Sequence, residues 1–305
     1  MVEYFLQRRV LKSNVLLCAM TIASIEKIFV EDLQKIYGSD EAGSIAWLVI
    51  GFVCRINRSQ FLIKKNSELS AVELSSLYRI LTDLKKGIPV QYALGETEFY
   101  GSIFLVNPSV LIPRPETEEL IDWVIKDAKA GRYDTDEVKV LDIGTGSGCI
   151  PITIRKYLSN SVITAIDISN AALEIAQKNA QLNNVEVLFI QDDILHPRTS
   201  FINYSIIISN PPYVTRSEKA QMHSNVLDHE PHNALFVPDD DALVFYRAIA
   251  DFALVHLEAN GALYLEINEN LGPQTVSLLK SKGFSKVEMR TDRRDRDRMI
   301  KAQLI

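Results

Sequence analysis

A chain of 305 residues, 47% hydrophobic and 24% charged, has the composition of an ordinary globular protein and enough length for two domains. Its net charge of -6 supplies no basic field of the kind that gives non-specific affinity for nucleic acid, which weighs against DNA as a partner. The three cysteines, Cys18, Cys54 and Cys149, form no Cys-x-x-Cys pair, which argues against a disulfide framework or a zinc cluster, and no apolar run approaches the length of a membrane span.

Near the start, Arg8, Arg9 and Lys12 precede an apolar run from Val15 to Ile25 and imitate a signal peptide. Glu3 sits in the charged part and no small-x-small cleavage site follows, so a cytoplasmic location is expected. From Thr21 to Lys86 the apolar spacing is helical, as in Leu74, Leu77, Tyr78, Leu81 and Leu84, and Ser70 with Glu73 reads as a capping box. A small helical bundle over residues 20–88 is the expectation. Gly87 and Pro89 end it, and residues 89–115 run as extended, turn-punctuated chain that reads as a β-hairpin linker.

A helix resumes at Glu116, and beyond Asp136 short β-rich runs alternate with helical segments: Val138 to Ile143, Val162 to Ile166, Val185 to Ile190, Tyr204 to Ser209 and Ala262 to Ile267. Such alternation predicts an α/β domain over residues 116–305, with a mostly parallel sheet and ligands at the carboxyl ends of its strands. The first of these strands runs into Gly144-Thr145-Gly146-Ser147-Gly148, a turn whose glycines let backbone approach a ligand. It is neither G-x-G-x-x-G nor a phosphate-binding loop ending in Gly-Lys-Ser/Thr, which lowers the dinucleotide and ATP readings. The second strand ends at Asp167, placed to accept the hydroxyls of a ribose. After the third come Asp192, Asp193 and Ile194, where a carboxylate can meet an adenine amino group while Ile194 packs on the ring. This order of features resembles the S-adenosylmethionine site of class I, Rossmann-like methyltransferases.

The fourth strand leads into Asn210-Pro211-Pro212-Tyr213. Two prolines stiffen the turn and remove two backbone donors, leaving the Asn210 side-chain oxygen and the Pro211 carbonyl as acceptors, with Tyr213 offering a flat face. A planar NH2 group, which donates two hydrogen bonds, matches that pair. Asn-Pro-Pro-Tyr here resembles enzymes that methylate adenine in DNA or glutamine in protein. Gly95-Glu96-Thr97-Glu98-Phe99-Tyr100-Gly101, Pro113-Arg114-Pro115-Glu116-Thr117-Glu118-Glu119-Leu120 and Glu230-Pro231 with Ala234-Leu235 are similar to signatures of the HemK/PrmC family.

That resemblance implies N5-methylation of the glutamine in the Gly-Gly-Gln motif of class-1 peptide chain release factors, with S-adenosylmethionine as methyl donor and no metal. It implies Asn210, Pro211, Pro212 and Tyr213 as the acceptor site, and the five residues Gly144 to Gly148, Asp167, Asp193, Ile194 and Asn210 as the cofactor site. Similarity begins near Met20, which leaves residues 1–19 as an extension of doubtful role. Pro151 and the run Pro238 to Asp241 depart from the family pattern. Two readings compete: a DNA adenine-N6 methyltransferase, disfavoured by the charge, and a methyltransferase-like binding module without catalysis. His229 and His232, three apart, read as surface histidines, and the alternating charges from Asp292 to Arg298 as a solvated turn. Residues 1–88 carry +3 and the remainder -9, so the helical domain is expected to grip the protein substrate.

Overall fold

The computed structural model describes residues 20–133 and 137–304; the expected extension over residues 1–19 lies outside the described residues. The chain divides into two compact units, one up to Leu94 and one from Gly95.

Among the described residues, five helices make the first unit: α1 (Ile22–Tyr37), α2 (Ser39–Cys54), α3 (Arg58–Lys64), α4 (Ala71–Leu84) and α5 (Val90–Leu94). Capping boxes start three of them, pairing Thr21 with Ser24, Asn57 with Gln60 and Ser70 with Glu73, so that backbone N–H groups with no intrahelical partner are satisfied. Ile22, Ile25, Phe29 and Leu33 recur at helical spacing on α1 and are buried against Ile45, Val49 and Ile50 of α2 and Leu77, Ile80 and Leu84 of α4. Each such side chain contributes about 1.5–3 kcal/mol on full burial, which is what holds helices this short together.

The second unit opens with an antiparallel hairpin, β1 (Glu96–Phe99) and β2 (Ser102–Leu105), followed by α6 (Pro115–Lys129). Then come β3 (Val138–Ile143), α7 (Cys149–Tyr157), β4 (Ser161–Asp167), α8 (Asn170–Leu182), β5 (Leu188–Gln191) and β6 (Tyr204–Ser209). A short parallel pair, β7 (Val214–Thr215) and β8 (Phe236–Val237), flanks α9 (Ser224–His229). The chain ends with α10 (Val244–His256), β9 (Leu257–Glu266), α11 (Gly272–Ser281), β10 (Lys286–Thr291) and β11 (Asp297–Gln303).

Seven strands form the main sheet in the order β10-β11-β9-β6-β3-β4-β5. The five from β9 to β5 are parallel to their neighbours, and β11 runs antiparallel to both β9 and β10. All six residues of β6 are buried, as a parallel strand covered on both faces requires. Successive side chains feed opposite layers: Ile206 and Ile208 join a core with Leu120, Val124 and Ile150, whereas Ile207 joins one with Tyr246, Ile249 and Leu279.

From β3 the chain moves outward through β4 to β5, then returns to the other side of β3 as β6. Strand order therefore reverses at β3 and β6, and the crevice beyond their carboxyl ends is where an open α/β sheet takes its ligand. The antiparallel pair β10 and β11 went unread in the sequence because its charges mask the apolar alternation. The stretch from Asp292 to Arg298 is not a wholly solvated turn: Asp292 is 4% exposed and Arg298 8%. Arg298 meets Glu269 at 3.3 Å and Asp292 at 3.6 Å, so the two ends of the run join an ion-pair cluster with a buried centre while residues 293–295 stay exposed.

Candidate active site

Ile143 and Ser209, the last residues of β3 and β6, stand opposite each other in the parallel register. Ser209 Oγ donates to the Ile143 carbonyl at 2.6 Å, tying the two strand ends together. The glycine turn and the Asn-Pro-Pro-Tyr turn therefore leave the sheet side by side at the same level. Gly144, Gly146 and Gly148 all adopt left-handed conformations, with φ of 75°, 54° and 79°. A Cβ on Gly144 or Gly146 would meet no atom within 4 Å. One on Gly148 would lie 3.1 Å from Ala176 Cβ and 3.0 Å from Ile152 Cδ1, so this third glycine serves helix packing and the first two leave their approach open to a ligand.

The two turns border a cleft holding about 1010 Å³ of empty space with its open mouth included. Gly144, Gly146, Asp167, Asp193, Ile194, Asn210, Pro211 and Pro212 all line it. Thr145 and Ser147 are buried beneath the glycine turn, and Gly148 and Tyr213 also lie off the lining.

Asp167 Oδ2 accepts the Gly146 N–H at 2.8 Å and Oδ1 the Ser169 N–H at 2.9 Å. Each oxygen keeps a further lone pair for a ligand hydroxyl. Burial raises the Asp167 carboxyl above its usual range, against the pull of those backbone donors. Asp192 is engaged structurally, accepting backbone N–H groups from Asp193, Arg198 and Thr199 at 2.8 to 3.2 Å and shaping the turn that presents Asp193 and Ile194.

At the other turn, Asn210 Nδ2 donates to Thr117 Oγ1 at 3.1 Å, which leaves Oδ1 as the uncommitted acceptor of that side chain. Thr117 Oγ1 in turn donates to Glu266 Oε2 at 2.6 Å, and Tyr213 Oη donates to Glu266 Oε1 at 3.0 Å. Glu266 is 1% exposed; burial raises its carboxyl, opposed by these two hydroxyls and by the charge of Arg298. A second buried carboxylate, Glu230, accepts the Ile112 N–H at 3.2 Å and pairs with Arg114 at 2.6 Å, anchoring the segment whose Ser109, Val110 and Leu111 line the cleft.

Residues 130–235 match the family model of the methyltransferase small domain, and residues 29–95 that of the PrmC N-terminal domain. The release factor glutamine methyltransferase of Flavobacterium psychrophilum is 43% identical over 92% of this chain and 99% of its own. That of Bacteroides thetaiotaomicron is 40% identical over 89% and 96%. The chain belongs to the release factor glutamine methyltransferase family. Among solved structures the hMettl16 catalytic domain shares the fold, with a TM-score of 0.53 and 15% identity over 76% of this chain and 82% of that one.

Several features of the site have no local sequence signal. Asn179, fully buried on α8, donates to the Ser147 and Leu105 carbonyls at 2.9 and 3.0 Å and accepts the Leu105 N–H at 2.7 Å, so one amide binds the glycine turn to the hairpin. The family departure at Pro238 to Asp241 forms a short 3-10 turn in which Asp241 pairs with Arg247 at 2.8 Å and Asp239 accepts the Ser217 N–H. Asp142, on β3 below the glycine turn, is fully buried, and neither of its oxygens meets a donor in hydrogen-bonding geometry.

Burial pushes the Asp142 carboxyl up to about 7, with the charge of Asp167 adding to the rise and the Thr145 hydroxyl opposing it. Its folded pKa therefore lies above its unfolded one. The native state loses stability as pH rises from about 4, where the unfolded carboxyl ionises first, to about 7, where the folded one follows. Asp142→Asn keeps the shape and cannot ionise. Its melting temperature relative to the parent should rise between pH 4 and 7 in the absence of any ligand, as followed by calorimetry; a difference that stays flat across this range would contradict an ionisable, desolvated Asp142.

Among the described residues, no helix is long and apolar enough to cross a membrane. Nor does any group of three or more His, Cys, Asp or Glu among them have the arrangement to hold a metal ion. His232 Nε2 lies 2.7 Å from the Leu227 carbonyl and its ring meets Phe236 edge-on.

Proposed function

We propose that this chain transfers a methyl group from S-adenosylmethionine to the side-chain amide nitrogen of the glutamine in the Gly-Gly-Gln motif of class-1 release factors. The observation that carries this reading is the Asn210 amide, whose NH2 is committed to Thr117 and whose oxygen stands free on a turn lining the cleft. Residues on the cleft fit the cofactor. Gly144 and Gly146 let the main chain pass beneath it, Asp167 has lone pairs for ribose hydroxyls, and Asp193 with Ile194 offers an acceptor and an apolar face to the adenine.

When bound, S-adenosylmethionine supplies a methyl group on a positively charged sulfur. The residues of the chain supply orientation. A carboxamide nitrogen is a weak nucleophile because its lone pair is delocalised, and Asn210 Oδ1 with the Pro211 carbonyl can accept both of its hydrogens and fix its plane. As the nitrogen gains positive charge, these preorganised acceptors stabilise it more strongly than they hold the ground state. No base has to remove a proton beforehand, because the charged product is acidic enough to release one to water. Tyr213, off the lining, supports the turn through Glu266.

The same acceptor pair suits the amino group of adenine, and the -6 net charge favours a protein substrate over DNA. Transfer of labelled methyl separates the two: release factor should be labelled and duplex DNA should not, whereas label in DNA alone would overturn the assignment.

The helical unit up to Leu94 is the grip on the substrate outside the cleft. It carries its own core and excess positive charge, and the cofactor-lining residues all lie beyond it. Deleting residues 20–86 should abolish release-factor methylation while leaving S-adenosylmethionine affinity, measured by calorimetry, within about threefold of the parent, less than the loss of one good hydrogen bond. Equal loss of both would contradict the division of labour.

A further inference from the structure

We infer that Thr117 and Glu266 are positioning residues that set which way round the Asn210 amide points. Thr117 sits in the Pro-Arg-Pro-Glu-Thr-Glu stretch at the start of α6, and Glu266 is the last residue of β9, so neither is near Asn210 in sequence.

The inference follows from counting protons. An amide end group is nearly symmetric in shape, and its orientation is decided by what its two ends bond. Thr117 has one hydroxyl proton and lies 3.1 Å from the Asn210 side chain. Glu266 Oε2 takes that proton at 2.6 Å. An ionised carboxylate can only accept, so the Thr117 oxygen has no proton left for Asn210 and can only receive one. The NH2 end must therefore face Thr117 and the oxygen must face away from it. With the amide reversed, two oxygen lone pairs would meet at a site where Thr117 is 2% exposed, with the bond to Thr117 unmade.

The other oxygen of Glu266 accepts the Tyr213 hydroxyl at 3.0 Å. One buried carboxylate thus holds both ends of the Asn-Pro-Pro-Tyr turn, residue 210 through Thr117 and residue 213 directly. Arg298, with Nη1 3.4 Å from Tyr213 Oη and guanidinium contacts to Glu269 and Asp292, keeps positive charge beside this carboxylate and opposes its protonation. Neither Thr117 nor Glu266 lines the cleft.

This inference rests on the reading of Asn210 as an acceptor for the substrate amide, and its test distinguishes the two. Thr117→Val keeps the shape and removes the hydroxyl. It should lower single-turnover kcat about 10-fold or more, the equivalent of one lost buried hydrogen bond, with cofactor affinity close to the parent when both are assayed at a temperature well below their melting points, since the lost bond to Glu266 also lowers stability. Thr117→Ser should restore most of the rate. Glu266→Gln, which can donate to Thr117 and free its proton for the Asn210 oxygen, should lose rate like Thr117→Val.

Because Thr117 acts only through Asn210, the double variant Thr117→Val with Asn210→Ala should be no slower than Asn210→Ala alone, a non-additivity that general loosening of the fold would not give. A Thr117→Val enzyme at parental rate beside a crippled Asn210→Ala enzyme would overturn the inference alone. An unimpaired Asn210→Ala enzyme would overturn the acceptor reading and this inference with it.

Discussion

Replacing Asn210 by alanine should collapse methyl transfer while sparing cofactor binding. The substitution removes the acceptor that the Thr117 contact turns away from the α6 side, and leaves the substrate NH2 with the Pro211 carbonyl alone. One remaining hydrogen bond permits rotation about it, so the nitrogen lone pair spends little time in line with the methyl group. Loss of a single preorganised polar group at a transition state costs on the order of 100-fold to 1,000-fold in kcat, and the same range is expected here. The alanine also leaves Thr117 Oγ1 without its donor, a modest defect for a hydroxyl whose bond to Glu266 persists. Single-turnover methylation of a release factor gives the rate, calorimetry with S-adenosylmethionine the affinity, and a rate within a few-fold of the parent would sink the acceptor assignment.

Asp167→Ala should produce the opposite pattern. Asp167 sits at the end of β4, lines the cleft, and spends one lone pair of each oxygen on Gly146 and Ser169. Its removal takes away the acceptor proposed for the ribose and also frees the glycine turn that Asp167 holds through Gly146. Hydrogen bonds to a charged group contribute about 1.5–3 kcal/mol, so S-adenosylmethionine affinity should fall about 10-fold to 100-fold. At saturating cofactor the methylation rate should recover most of its parental value, because the acceptor turn is untouched. An Asp167→Ala protein with normal affinity but low kcat would reverse the roles assigned to the two turns.

The contrast between these variants reflects how the sheet is wired. The groups proposed for the cofactor lie at the ends of β3, β4 and β5, and the proposed acceptor turn at the end of β6, which lies on the other side of β3. The Ser209 bond to Ile143 holds the two halves in register. The lateral offset between the glycine turn and the Asn-Pro-Pro-Tyr turn is thus set at its base by one strand spacing, about 4.8 Å.

Much of this was readable because it is local. The helical spacing of Leu77, Leu81 and Leu84, the alternation of strands and helices, the glycine turn and the Asn-Pro-Pro-Tyr turn each put their information in adjacent residues. Helix α8 matches its expected span, Asn170 to Leu182, because apolar period and the Ser169 cap agree there. Strand β5 starts at Leu188 and not at Val185, since a half-exposed edge strand leaves a run of apolar residues with no ladder to define its beginning.

What escaped the sequence is long-range. Thr117 and Glu266 are 149 residues apart, Arg114 and Glu230 are 116 apart, and Asn179 reaches 74 residues back to Leu105. A lone Glu at the end of an apolar strand carries no sign of its partners. The charges around Asp292 and Arg298 suggested solvent because alternation of sign is the pattern of an exposed surface, and only the packing of β11 against β9 reveals them as buried. The bond from the Tyr213 hydroxyl to Glu266, 53 residues away, has no signal in the Asn-Pro-Pro-Tyr stretch itself.

The most direct test is to find the atom that receives the methyl group. A class-1 release factor is incubated with the protein and S-adenosylmethionine, digested, and its Gly-Gly-Gln peptide sequenced by fragmentation mass spectrometry beside the same factor with that glutamine replaced by glutamate. The account predicts one added methyl group on the glutamine side chain of the first and none on the second. A methyl group at any other residue, or equal labelling of the glutamate form, would contradict it.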